Sequence, residues 1–213
     1  MSDSHSHDHD DWPYPHPKQP DTEDSEFTDY MAMAAAVGNL LIEKNIISRD
    51  DLRGMIESID SKSPADGAKA VARAWVDPEF KSRLLEDVVA AAGELGLDAG
   101  TIPIRAVENT PEVHNVIVCT LCSCYPRMLL GLPPDWYKSR AYRSRVVREP
   151  REVLREFGTE ISNDVEVRVH DSTADLRYMV IPMRPERTED LNEEELAALV
   201  NRDSMIGVTT AGK

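Results

Sequence analysis

The sequence predicts an α+β protein: an N-terminal helical arm, then a mixed helix-and-strand domain that carries a metal-binding loop. Three observations lead there. Apolar residues recur at helical spacing over the first half of the chain, short β-branched runs take over after Gly100, and all three cysteines fall between positions 119 and 124. A length of 213 residues allows one core-bearing domain with extra elements.

Residues 1–25 hold four prolines and four histidines with almost nothing aliphatic, so burial cannot offset their ordering entropy and the segment reads as a disordered acidic, His-rich tail. Its alternating His5, His7 and His9 offer at most transient metal capture. The helical region spans 26–100. Phe27, Tyr30, Met31, Ala34, Val37 and Leu41 mark one face of a first helix. Ser48-Arg49-Asp50-Asp51 supplies a hydroxyl cap and an acid three residues later for a second. Pro64–Val76 continues the pattern, and Asp77-Pro78 caps a further helix through Leu97, ended by the glycines at 96 and 100. Long helices with modest apolar faces suit the embrace of another subunit.

The region 101–213 is the predicted metal-binding catalytic domain. Strands are expected at Ile104–Glu108, Val113–Val118, Val165–Val169 and Leu176–Ile181, the last two alternating as half-buried antiparallel strands do. Helices are expected at Pro134–Tyr142, Pro150–Phe157 and Asn192–Val200.

The 39 acidic and 24 basic residues give a net charge of -15, and nine of the acids stand in residues 1–29. Such a chain repels phosphate backbones and anionic lipids, which argues against nucleic-acid and membrane partners. With no apolar run of about 18 residues and no apolar leader, a cytoplasmic protein is expected.

The cysteine segment reads Val118-Cys119-Thr120-Leu121-Cys122-Ser123-Cys124-Tyr125-Pro126. Disulfides inside six residues would staple nothing, whereas three thiolates in a tight turn can face one cation. Zinc and iron–sulfur sites usually take four protein ligands, and the nearest histidine, His114, lies in a predicted strand. The backbone is another source. If the amides of Ser123 and Cys124 lose their protons, the loop offers two nitrogens and three sulfurs, with a sixth octahedral position left for water or substrate. Deprotonating an amide demands a strongly polarising trivalent ion, so cobalt(III) or iron(III) fit and zinc does not.

The run V-C-T-L-C-S-C-Y-P, with Glu108-Asn109-Thr110-Pro111, Gly131-Leu132-Pro133-Pro134 and Trp136-Tyr137-Lys138-Ser139, closely resembles the alpha subunit of nitrile hydratases. So do Ala72–Pro78 and Arg202–Val208, and the resemblance spans about residues 30–208. It implies a layered α/β/β/α domain and a metal held by Cys119, Cys122, Cys124 and the main-chain nitrogens of Ser123 and Cys124. It also implies oxidation of Cys122 to a sulfinic and Cys124 to a sulfenic acid, which makes these two the catalytic candidates. Thr120, where iron-type members carry serine, implies one non-corrin Co(III) per chain rather than Fe(III). The implied partners are a beta-type subunit, as one chain or two smaller ones, whose arginines face the sulfur oxygens, and a metallochaperone or activator. The implied reaction is hydration of a small nitrile to its amide.

Two positions depart from the pattern. Arg127 follows Pro126 where most nitrile hydratases carry tryptophan, and it resembles the gamma subunit of thiocyanate hydrolase, as does the His-rich tail. Ala99 stands about where those hydratases carry a glutamine behind the metal ligands. The insertion typical of the thiocyanate hydrolase subunit is missing, which leaves nitrile hydration as the reading and thiocyanate hydrolysis as its alternative. A non-catalytic thiolate metal-binding module is a third. Arg127 and Lys138 are the substrate-pocket candidates, and Tyr125 and Trp136 read as core aromatics with satisfied polar tips. His114 reads as a hydrogen-bonded strand residue, and Arg140, Arg143, Arg145, Arg148 and Arg151 as partners for acids.

Overall fold

The computed structural model describes residues 28–212. The expected tail over 1–25, with His5, His7 and His9, and the helix-face position Phe27 lie outside the described residues. The chain divides into two compact units at Leu52/Arg53, and the helices between 64 and 94 bury one face in the same core as the strands.

Helix α1 (Asp29–Glu43) starts at Thr28, whose hydroxyl accepts from the Met31 amide at 3.3 Å, and buries none of its residues. Before α2 (Arg49–Asp60), the Asp51 amide donates to Ser48 Oγ (3.0 Å) and the Ser48 amide to Asp51 Oδ2 (2.9 Å), the reciprocal cap its sequence predicts. Helix α3 (Pro64–Val76) buries Gly67 and four alanines, so that α6 (Arg127–Leu130) and α10 (Glu193–Ala198) approach its backbone closely.

The single helix expected over 78–97 is two, α4 (Pro78–Glu86) and α5 (Val88–Glu94). Asp87 adopts an extended conformation and its carboxylate accepts from the Ala90 amide at 3.0 Å, as Asp77 accepts from Glu79 and Phe80. A short carboxylate competing for backbone amides ends one helix and caps the next. Ser139 does the same to the helix expected over 134–142, separating α7 (Asp135–Lys138) from α8 (Arg140–Arg145). Helices α9 (Pro150–Glu156) and α10 form where expected, the latter behind an Asn192 capping box. Helix α11 (Arg202–Ile206) was not foreseen as an element.

Strands β1 (Ile104–Glu108), β2 (Val113–Val118), β3 (Glu166–Asp171) and β4 (Arg177–Ile181) form two parallel pairs, β1 with β4 and β2 with β3. The antiparallel expectation for β3 and β4 fails because each pairs with an earlier strand rather than with the other. The connection from β2 to β3 holds four helices, α6 to α9, long enough for the crossover that parallel pairing needs. The core joins Val116, Ile117 and Val118 of β2 to Met179, Val180 and Ile181 of β4, with Leu130, Tyr137, Tyr142 and Met205 around them. Among the described residues no helix is long and apolar enough to cross a membrane.

Candidate metal centre

The buried end of β2 delivers Cys119, and main-chain contacts hold that end in place. Tyr142 donates its hydroxyl to Ile117 O (2.7 Å), and the Ser172 amide donates to Val118 O (2.6 Å). Asp171, the register partner of Val118, accepts from both the Thr120 amide (2.9 Å) and the Thr120 hydroxyl (2.6 Å). Arg143 donates to Thr120 O (3.3 Å), and the Tyr137 hydroxyl donates to Cys124 O (3.0 Å) at the far end of the loop. Both ends are thus tied to surrounding elements, while Leu121 at its tip is 88% exposed.

Cys119 is buried, Cys124 half-buried and Cys122 exposed, and their three sulfurs lie within 4.8 Å of one another. The Cys119–Cys122 separation is 3.4 Å and the Cys122–Cys124 separation 3.2 Å. Sulfurs about 2.3 Å from a metal stand about 3.3 Å apart at right angles and about 3.8 Å apart at the tetrahedral angle. The observed spacings fit right angles. The Cys122 amide donates to Cys119 Sγ (3.2 Å).

Hydrogen bonds from the Cys124 and Cys119 thiols pull the Cys122 thiol down to about 7. Burial, followed by the bond to Cys122 and the charge of Cys119, pushes Cys124 up to about 12. Crowded sulfurs resist a second and third ionisation, so full deprotonation of this loop calls for a cation. His114 is no fourth ligand. Its Nε2 bonds Gly207 O at 2.7 Å, its Nδ1 faces Asn109 Nδ2 at 3.3 Å, and burial holds its pKa below the ordinary imidazole value. Among the described residues, the three cysteines are the one group of His, Cys, Asp or Glu side chains that converge so. Three sulfurs converging in one tight turn suit a single metal ion.

The other candidates are less tightly gathered. Arg127 is exposed at the start of α6, three residues past Cys124. Lys138 is exposed with its ammonium 3.5 Å from Asp135. Tyr125 is buried in the core, yet its hydroxyl has no partner among the described residues, contrary to the expected satisfied tip. Within the basic cluster, Arg145 pairs with Glu149 and Glu156. Arg143, Arg148 and Arg151 donate to main-chain carbonyls. Sequence reasoning missed Asp171, Ser172 and the tether made by Arg143, because the contacts that matter are brought about by strand pairing and helix packing.

The nitrile hydratase alpha-chain family profile matches residues 28–209. The chain is 53% identical over 180 residues to the low-molecular weight cobalt-containing nitrile hydratase subunit alpha of Rhodococcus rhodochrous, covering 84% of this chain and 87% of that one. It is 42% identical over 195 residues to the thiocyanate hydrolase subunit gamma of Thiobacillus thioparus, covering 86% and 80%. A solved structure of recombinant thiocyanate hydrolase with partially modified cobalt centres superposes with a TM-score of 0.80 at 41% identity, covering 87% of this chain and 91% of that one. Matched along nearly all of its described length and at more than half identity, the chain belongs to the nitrile hydratase alpha-chain family.

Proposed function

We propose that this chain is the metal-bearing alpha subunit of a cobalt-type nitrile hydratase, adding water across the C≡N bond of a nitrile to give the amide. The observation that supports this above all others is the convergence of three cysteine sulfurs within 4.8 Å of one another in one six-residue turn. Non-corrin Co(III), one per chain, supplies Lewis-acid polarisation of the water or nitrile when bound there. Cys119 as a thiolate and the oxidised Cys122 and Cys124 would hold it through their sulfurs, and the main-chain nitrogens of Ser123 and Cys124 would complete five donors. The cobalt named for the R. rhodochrous relative supports this choice over Fe(III).

The remaining work belongs to the chain. Asp171, Arg143 and Tyr137 keep the turn from splaying when its charge changes. Cys124, oxidised to a sulfenate, presents an oxygen to the nitrile carbon or to an attacking water, and Cys122, as a sulfinate, strengthens the negative field that orients that water. Arg127 lines the pocket beside the loop, with Lys138 at its outer edge, and a beta-type subunit in one or two chains closes it. Delivery of the metal falls to an activator chain.

A second reading, the gamma-like subunit of a thiocyanate hydrolase, is favoured by Arg127, a cation suited to an anionic substrate, and by the 42% identical relative. One experiment separates the readings. The cobalt-loaded complex with its beta-type partner is given aromatic, heterocyclic and aliphatic nitriles, then thiocyanate. Amide formation is expected; carbonyl sulfide release without amide would replace the first reading by the second. Labile zinc in place of exchange-inert cobalt would leave only a thiolate metal-binding module.

A further inference from the structure

Helix α6 has four residues, too few to hold a helical turn by its own hydrogen bonds, so its placement comes from what packs on it. Leu129 and Leu130 are buried in the core and fix its rear, whereas Arg127 at its front is exposed and Met128 half-buried. The front is continuous with the cysteine loop. The Arg127 amide donates to Tyr125 O (2.8 Å), and the Leu130 amide donates to Pro126 O (2.9 Å).

Two segments from the helical half of the chain close on this short helix. At its rear, a Cβ on Gly131 (φ +72°) would stand 2.8 Å from Lys62 O and 3.0 Å from Ser63 Cα, so the link between α2 and α3 runs hard against the helix end. At its front, a Cβ on Gly100 would stand 2.9 Å from Met128 Cγ, so the turn after α5 touches the helix there. One side chain joins the two segments. Lys62 reaches across to Asp98, its ammonium 2.9 Å from Oδ2 and 3.4 Å from the main-chain oxygen, while Asp98 Oδ1 accepts from the Gly100 amide at 2.9 Å. The Lys62 ammonium, and after it the Gly100 amide, hold the Asp98 carboxyl below its ordinary value. Ala99, buried between Asp98 and Gly100, offers no polar side chain to share the task.

A surface ion pair adds only about 0–1 kcal/mol to stability as a rule, so the consequence of this one lies in what it places. We infer that the Lys62–Asp98 pair is a clamp closed over α6: it fastens the turn that bears on Met128 to the segment that bears on Gly131, and so sets Arg127 at the edge of the metal loop. Lys62 is in this role a positioning residue, acting through Arg127 on the selectivity of the site for substrates that carry an anionic group. The inference rests on the reading of Arg127 as a pocket residue of a nitrile-hydrating site.

The test uses wild-type, Lys62→Met, Lys62→Arg, Arg127→Met and doubly substituted Lys62→Met, Arg127→Met chains, each in the cobalt-loaded complex with the beta-type partner. The substrates are benzonitrile and para-cyanobenzoate, aromatic nitriles that differ by a carboxylate. Arg127→Met should raise KM for para-cyanobenzoate about 10-fold or more, as loss of a hydrogen bond to a charged group does. Lys62→Met should raise it about 3- to 5-fold, with a smaller change for benzonitrile and with kcat and cobalt per chain near wild type. Lys62→Arg keeps a cation for Asp98 and should stay close to wild type. In the Arg127→Met background the Lys62 substitution should add nothing, because the guanidinium it places is gone. An unchanged KM ratio between the two nitriles in Lys62→Met, or a rise that persists without Arg127, overturns the inference. So does loss of cobalt or of folding in Lys62→Met, since the pair would then serve the loop or the core. A wild-type complex that loads no cobalt or hydrates no nitrile overturns the functional reading instead.

Discussion

Cys122 and Cys124 are two residues apart, yet one thiol is drawn down to about 7 and the other pushed up to about 12. Hydrogen bonds converge on Cys122, while partial burial and a neighbouring sulfur weigh on Cys124. A loop wired this way binds a cation as a unit, so Cys122→Ala or Cys124→Ala should abolish cobalt uptake and hydration together, as metal analysis beside amide assay would show. Full activity in a metal-loaded Cys124→Ala protein would end the sulfenate proposal. Asp171→Ala leaves the Thr120 amide and hydroxyl without their acceptor. At an exposed position this should cost about 1 kcal/mol and hasten cobalt release, read by chelator challenge. At His114, Nε2 faces a carbonyl and so carries the proton, leaving Nδ1 as acceptor from Asn109. A second proton would set two donors face to face. Its folded pKa is lowered, so the unfolded chain binds protons first, and stability present above about pH 6.5 is lost as pH falls. His170, lowered by burial and then by Arg168, acts in the same direction. The melting temperature should therefore drop between about pH 7.5 and pH 5.5, with a shallower slope in His114→Gln.

Elements fix the loop through their ends. Strand β2 runs buried to Val118, β3 ends beside it at Asp171, and α7 and α8 contribute Tyr137 and Tyr142 from the crossover between the two strands. The turn after α11 anchors the other end of β2. Gly207 has φ +90°, and a Cβ there would stand 2.0 Å from Asn115 O, a backbone atom that cannot swing aside. Gly207→Ala should destabilise the fold by about 3 kcal/mol or more, a fall of roughly 6–12 °C in melting temperature by calorimetry. Asp77, Asp87 and Ser139 show the reverse dependence, where one short polar side chain decides where helices stop and start. These caps were legible as residue types. That Asp87 and Ser139 would break helices rather than ride on them was not, since the same residues are tolerated within a helix when packing favours it.

At the scale of the molecule, metal and fold are linked. Binding to the folded loop alone must raise stability, so the loaded chain should melt above the metal-free chain by several degrees, and a chelator present before loading should remove the difference. Helix α1 presents Tyr30, Met33 and Val37 at half exposure or more, an apolar face in keeping with a subunit that works beside another. The sequence by itself determined the α+β class, most helix starts and the cysteine turn with its metal chemistry, because caps, periodicity and ligand spacing are local and need no partner from elsewhere in the chain. Only the tertiary structure decided the parallel pairing and the tether from Asp171 to Thr120. Those contacts join residues some fifty to seventy positions apart, and which of many chemically plausible partners meet is settled by how the whole core packs.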